Sequence, residues 1–252
     1  MIDADVSAVL DQLVPILRQA QHVVVLTGAG ISAESGLPTF RDPLTGLWAQ
    51  YRPEELGTPQ AFRTNPQLVT EWFAWRRELV QAAAPNAGHL ALVALEQHVP
   101  HLTLVTQNVD GLHQRAGSTG VLELHGNLAR FKCFEDNQPV TEWSTNADGL
   151  ACCPRCGGLV RPDVVWFGEN LPKHELSTAL AATVQSDLFF SIGTSGNVEP
   201  AASLPGYALD RGATVVVNNL DVLTSATPPL YRLHGQAGSI LPELVRRAWP
   251  DA

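Results

Sequence analysis

Apolar residues recur at Val6, Val9, Leu10, Leu13, Ile16 and Leu17, a spacing of three and four that gathers them on one face and predicts a helix over residues 4–20. The pattern then changes. His22-Val23-Val24-Val25-Leu26-Thr27 is a short β-branched run without polar alternation, as expected of a strand buried on both faces of a parallel sheet. Comparable runs follow at residues 102–106, 121–124, 188–192 and 214–217, with helical patterns over 87–98, 174–185 and 240–248 between or after them. Strand alternating with helix predicts an α/β protein, a Rossmann-like parallel sheet with helices on both faces.

Two stretches break the rhythm. Residues 43–85 are rich in Trp, Phe, Pro and Arg and read as loops plus helices. Residues 130–160 hold all the cysteines and a polar, turn-rich segment from Asn137 to Asp148. The expected organisation is a sheet domain from residues 1–42, 86–129 and 160–252. A helical insertion (43–85) and a Cys-containing, zinc-ribbon-like module (130–159) would form a smaller lobe.

Composition narrows the classes. The chain has 252 residues, 45% hydrophobic and 16% charged, which suits a folded globule. No apolar run approaches the roughly 18–20 residues of a membrane span. The start, Met1-Ile2-Asp3-Ala4-Asp5, lacks the basic and apolar regions of a secretory signal, so a cytoplasmic protein without membrane association is expected. A net charge of −9 argues against nucleic acid and favours basic partners such as lysine-rich peptide segments. The four cysteines fall between Cys133 and Cys156, which favours local metal binding over a disulfide framework.

Gly28-Ala29-Gly30-Ile31-Ser32-Ala33 follows the first strand and satisfies G-x-G-x-x-G/A, whose small residues let backbone N–H groups approach a pyrophosphate. A tight glycine turn would look the same. A dehydrogenase would continue into a long helix, whereas Gly36 and Pro38 predict a loop here. His125 follows an apolar strand and precedes Gly126, a strand-end position where catalytic groups often sit, and imidazole titrates in the range a general base needs. Asn108 and Asp110 share one side of an extended segment by their spacing, though Asn-Val-Asp-Gly is also a plain turn sequence.

The segment Gly28 to Asp42, with Thr106-Gln107-Asn108-Val109-Asp110-Gly111-Leu112-His113, Glu123-Leu124-His125-Gly126, Val164-Val165-Trp166-Phe167-Gly168-Glu169, Gly193-Thr194-Ser195 and Val217-Asn218-Asn219, closely resembles the sirtuin family in content and order. The resemblance runs from about residue 20 to the C-terminal region. It implies an NAD⁺-consuming protein lysine deacylase with His125, Asn108 and Asp110 as catalytic residues. It implies NAD⁺ contacts at Gly28, Ala29, Gly30, Ala33, Phe40, Arg41, Gln107, Asn108, Asp110, Gly193, Thr194, Ser195, Asn218, Asn219 and Ala237. Asp110 would accept from the nicotinamide carboxamide and Asn108 would order ribose or water. Phe40 would cover the reacting ribose and Arg41 would place positive charge near the pyrophosphate. The acyl-lysine carbonyl oxygen would attack ribose C1′ and expel nicotinamide. His125 would then assist the 2′-hydroxyl, and water would release lysine and O-acyl-ADP-ribose. The acyl-lysine protein or peptide would dock as a strand between residues 165–169 (Val165, Phe167, Gly168, Glu169) and the loop carrying Val198.

Two features depart from the family pattern. Sirtuins usually carry two C-x-x-C pairs for a structural Zn²⁺. Here Cys153 and Cys156 form one pair, but Cys133 has Asp136 where its partner should be, leaving Cys152 or Asp136 as the fourth ligand. The branch that removes acidic acyl groups uses Tyr-x-x-Arg. Arg76 is present, but Phe73 replaces the tyrosine, so acetyl and succinyl groups both stand as substrates. Competing readings are an NAD⁺ hydrolase or ADP-ribosyltransferase, a non-catalytic NAD⁺ or acyl-lysine binding module, and a dehydrogenase-like protein.

Overall fold

The computed structural model describes residues 2–39 and 51–250, without the side chains of Pro53 and Glu54. Helix α1 (Ala4–Gln19) begins where the Asp3 carboxylate accepts the Asp5 N–H at 2.8 Å. Strand β1 (His22–Thr27) follows. Helices α2 (Pro53–Leu56), α3 (Pro59–Thr64) and α4 (Pro66–Ala82) form the first excursion. Thr58 and Asn65 cap α3 and α4 by accepting the Ala61 and Leu68 N–H groups, and each helix has a proline in its first turn, where no donor is needed.

Helix α5 (Ala87–His98) then leads into β2 (His101–Thr106), and the short α6 (Leu112–Ala116) precedes β3 (Leu122–Glu123). The second excursion comprises β4 (Gly126–Cys133), β5 (Ser144–Thr145), β6 (Ala151–Cys152) and β7 (Val160–Val164). The chain returns through α7 (Lys173–Gln185), β8 (Leu188–Ile192), α8 (Leu204–Asp210), β9 (Thr214–Asn219), β10 (Ser225–Thr227), β11 (Leu230–His234) and α9 (Ala237–Ala248).

The main sheet has the order β10-β11-β9-β8-β1-β2-β3, parallel except for β10. Its apolar runs are buried on both sides, as their lack of alternation predicts. Val23 and Val25 of β1 pack with α1, α5 and α9, while Val24 and Leu26 pack with α7 and α8. The run at 121–124 makes only a two-residue edge strand, paired to Val105 and Thr106. Strands β10 and β11 and helix α8 lack the long apolar runs that mark the other elements.

Outside the main sheet, β4 and β7 pair antiparallel with a bulge between Asn127 and Phe131. A cluster of Leu56, Phe62, Val69, Trp72 and Phe73 packs on Leu128, Val164 and Trp166, joining the first excursion to the second. Among the described residues, no helix is long and apolar enough to cross a membrane.

Candidate active site

β1 has β2 on one side and β8 on the other, so the strand order reverses beside it, and the loops after β1 and β8 meet at that switch point. Two 3₁₀ turns (Ala29–Ile31 and Ala33–Ser35) and Gly36, at φ +81°, replace the helix a dehydrogenase would have. Gly28 and Gly30 are glycines for a reason other than the one expected. Their N–H groups donate to Ile192 O (3.0 Å) and Gly193 O (2.8 Å). A Cβ on Gly30 would lie 2.7 Å from Gly193 Cα, and one on Gly28 2.8 Å from Gly193 O. The two loops touch backbone to backbone, so these amides are engaged within the protein rather than aimed at a pyrophosphate.

On that floor, Ser32 Oγ donates to Asp110 Oδ2 at 2.7 Å and accepts from Asn108 Nδ2 at 3.2 Å. Asn108 Nδ2 also donates to Gly28 O, and Leu112 N donates to Asp110 Oδ1 at the start of α6. Asn108 and Asp110 are therefore brought together as their spacing implies, both buried, through a serine the sequence reading did not single out. Its signal was its place inside the glycine motif.

His125 is half-buried in the turn between β3 and β4. Its Nδ1 lies 2.9 Å from Gln107 O. A carbonyl can only accept, so Nδ1 carries the proton and Nε2 holds the free lone pair in the neutral ring. Burial lowers the His125 pKa below the imidazole norm, and the Gln107 bond opposes that shift. Gln107 Nε2 donates to Thr194 Oγ1 (2.8 Å), and Asn219 Nδ2 donates to Thr194 O (2.8 Å), so three residues expected at NAD⁺ converge.

The other expected NAD⁺ contacts vary. Asn218 is 2% exposed, and its Nδ2 donates to Leu233 O and Gly235 O, tying β9 to β11. Ala237 opens α9, where Glu34 Oε1 accepts the Gly238 N–H at 2.8 Å. Ala29 and Ala33 begin the two 3₁₀ turns, and Ser195 Oγ accepts from Asn197 N at 3.3 Å. Phe40 and Arg41 lie outside the described residues.

Beneath the site, Thr27 Oγ1 donates to Thr106 Oγ1 (2.8 Å), which accepts the Asn108 N–H (3.0 Å). Thr27 has no second proton, so His113 Nε2, 2.9 Å away, is the donor to it, and His113 Nδ1 is buried without a partner. Burial pushes the His113 pKa down to about 3, with His89, at 4.8 Å between ring centroids, adding to the effect. No periodicity in the sequence marks this network.

β7 ends at Val164; Val165 N donates to His125 O, and residues 166–169 form a turn closed by Glu169 N to Trp166 O. The Glu169 carboxylate is engaged within the protein: one oxygen meets Arg161 Nη2 at 2.6 Å and the other accepts Trp166 N at 2.9 Å. Phe167 is 47% exposed and Val198 43% exposed, so these two do present apolar surface. Gly168, at φ +86°, carries the turn between Phe167 and Glu169.

Phe73 is buried, edge-on to Trp72 (4.6 Å) and stacked on Trp166 (5.8 Å). Arg76, on the next turn of α4, lies over the Trp72 ring. Burial lowers the Arg76 pKa to about 10, and the charge of Asp110 resists the shift, which puts this cation within electrostatic reach of the site.

The ligand atoms of Cys133, Cys153 and Cys156 lie within 4.8 Å of one another, with Cys133 Sγ 3.5 Å from Cys156 Sγ. Three soft thiols so placed suit a zinc ion. Of the two expected fourth ligands, Cys152 stands apart, its Sγ 3.6 Å from Leu150 O. The Asp136 carboxylate hydrogen-bonds to Cys133 while also accepting from Gln138 N and pairing with Arg155.

Comparison with known proteins bears on this geometry. The Sir2 family pattern matches residues 28–200. The chain is 48% identical over 246 residues to NAD-dependent protein deacylase 1 of Pseudomonas aeruginosa, covering 94% of this chain and 98% of that protein. It is similar to a crystal structure of a Sir2 homologue–NAD complex, with a TM-score of 0.85, 43% identity and coverage of 94% and 93%. A Sir2–p53 peptide–NAD⁺ structure matches with a TM-score of 0.80, 30% identity and coverage of 94% and 98%.

Proposed function

The chain belongs to the Sir2 family and is an NAD-dependent protein deacylase, and we propose that His125 is the base of its reaction on acyl-lysine. The observation that carries this assignment is the Nδ1–H bond to Gln107 O, which leaves Nε2 as the basic atom of a half-buried ring. Burial favours the neutral ring, the form able to accept a proton.

NAD⁺ supplies an electrophilic ribose carbon and nicotinamide as leaving group. Asp110 receives the carboxamide. Asn108, whose nitrogen is committed to Gly28 O and Ser32 Oγ, offers its carbonyl oxygen to a ribose hydroxyl or water. The loops at Gly28–Ala33 and Gly193–Ser195, with Gln107, Asn218, Asn219 and Ala237, shape the dinucleotide cleft. The acyl-lysine peptide lies extended between Phe167 and Val198, supported by their exposure and by the peptide complex of the related Sir2 structure. The acyl chain reaches toward Phe73 and Arg76, so acetyl-lysine and succinyl-lysine are both substrates, Arg76 serving the carboxylate of the latter.

Cys133, Cys153 and Cys156 suit a structural zinc ion that holds the ends of their loop together. Residues 43–85, of which 43–50 lie outside the described residues, and 130–159 make up the small lobe. The protein works in the cytoplasm, on proteins rather than on nucleic acid or membranes, consistent with its net charge of −9.

The test is incubation with NAD⁺ and matched acetyl- and succinyl-lysine peptides, with products followed by mass spectrometry beside His125→Ala. Peptide-dependent nicotinamide and O-acyl-ADP-ribose, lost in the variant, are expected. Nicotinamide release indifferent to peptide would indicate an NAD⁺ hydrolase or transferase instead. No turnover at all would leave a binding module.

A further inference from the structure

Arg161 is 1% exposed, the most completely buried cation among the described ion pairs. Burying a charge is unfavourable unless its partners are well placed, and an apolar side chain of similar size often gives equal or greater stability. Stability alone therefore does not account for an arginine here. What it touches is more informative.

Its Nη2 meets Glu169 Oε1 at 2.6 Å and Asn137 Oδ1 at 3.4 Å, and its Nη1 lies 3.5 Å from Val164 O. The guanidinium carbon sits 3.8 Å over the Trp166 ring and 5.9 Å from that of Phe134. Asn137 and Phe134 belong to the Cys133 loop, where Asn137 N bonds Cys133 O and Cys133 N bonds Gln138 O. Trp166 and Glu169 bracket the turn that presents Phe167. That turn is held again by Phe167 N donating to Gly57 O. One guanidinium thus ties the cysteine loop to the turn carrying an exposed apolar edge, without contact to the Gly28–Gly193 floor.

We propose that Arg161 is a positioning residue for the protein substrate: it fixes the Phe167–Glu169 turn against the cysteine loop and so sets peptide affinity, while leaving NAD⁺ affinity to the other side of the cleft. The proposal rests on the docking of acyl-lysine peptide at Phe167. It assigns Glu169 a supporting part, as partner of Arg161 and of the Trp166 N–H. Lysine would substitute poorly, since it cannot stack on Trp166 while bonding in a planar fork.

The test measures KM for peptide and for NAD⁺ separately, with kcat and thermal midpoint, in Arg161→Met, Arg161→Lys and Glu169→Gln. Arg161→Met should raise peptide KM about tenfold or more, as expected when a charge-assisted bond no longer holds a docking surface. KM for NAD⁺ should stay within about twofold, and Arg161→Lys should fall between. If Arg161→Met does not fold, Glu169→Gln, which keeps the side-chain shape, carries the test through the same KM split. Unchanged peptide KM with a lowered midpoint would show a merely structural role and overturn the proposal; so would a parallel rise in both KM values. If the unaltered protein turns over no acyl peptide, the deacylase reading fails separately. Fluorescence anisotropy of a labelled acyl-lysine peptide on wild type and Arg161→Met then decides the clamp, equal affinities overturning it.

Discussion

Replacing Gly30 by alanine should reveal how tightly the two loops of the floor are pressed together. Gly30 has no left-handed backbone angle, so alanine meets no conformational penalty, and any cost comes from space. The new methyl would sit 2.7 Å from Gly193 Cα and 2.8 Å from Gly193 O, both backbone atoms that cannot rotate aside. Overpacking of this kind typically costs about 1–3 kcal/mol. Parting the loops also stretches the bonds from Gly30 N to Gly193 O and from Gly28 N to Ile192 O, each worth about 1 kcal/mol. A total near 3 kcal/mol lowers the thermal midpoint by about 6–12 °C in a domain of this size. KM for NAD⁺ should rise with it, because Asn108 is anchored on Gly28 O. Gly206, in α8, has nothing within 4 Å of an added Cβ, so Gly206→Ala should instead stabilise by about 0.5 kcal/mol through helix propensity. Thermal melts and denaturant titrations of both variants give the comparison. Gly30→Ala within about 0.5 kcal/mol of wild type would refute the argument that the glycines serve loop contact.

Acidification should weaken the fold through His113. Its pKa falls from 6.5 to about 3 on folding, so below pH 6.5 the unfolded chain binds the proton first and stability declines as pH drops toward 3. Between pH 7 and pH 5 that share is on the order of 2 kcal/mol, and His89, also lowered by burial, acts in the same direction. Denaturant titrations at the two pH values should show a smaller loss in His113→Gln than in wild type; equal losses would refute the assignment. Zinc should be present at one ion per chain by elemental analysis, and its removal by a chelator should lower the thermal midpoint. Metal-free protein as purified, with no response to added zinc, would count against the three-thiol site.

The elements best legible in the sequence were those set by local pattern. β1, β2, β8 and β9 are apolar runs buried on both faces, and α1 shows its face in Val6, Val9, Leu10 and Leu13. Asn108, Asp110 and His125 stand out in the sequence by their motifs, and the structure gathers the first two on Ser32. What stayed hidden depends on distant contact. The Gly28 and Gly30 amides bond a segment far along the chain, so their role could not be read from the motif. Arg161 and Glu169 owe their pairing to a turn after β7, and Asp136 meets Arg155 across the cysteine loop. His113 and His89 share a buried contact that neither residue type nor spacing announces.

The placement of β1 also governs when the contact between its glycine loop and the loop after β8 can come into being during synthesis. β1 is made early, yet one of its flanking strands, β8, is encoded far toward the other end of the chain. At about 5–20 residues per second, the first glycine loop waits on the order of ten seconds or more before Ile192 and Gly193 emerge. Until then its amides and the apolar edge of β1 face solvent or a chaperone. At the proposed site, the ability to hold NAD⁺ is therefore among the last properties a nascent chain acquires. A chain truncated before Gly193 lacks this loop contact altogether, however well its earlier helices have formed.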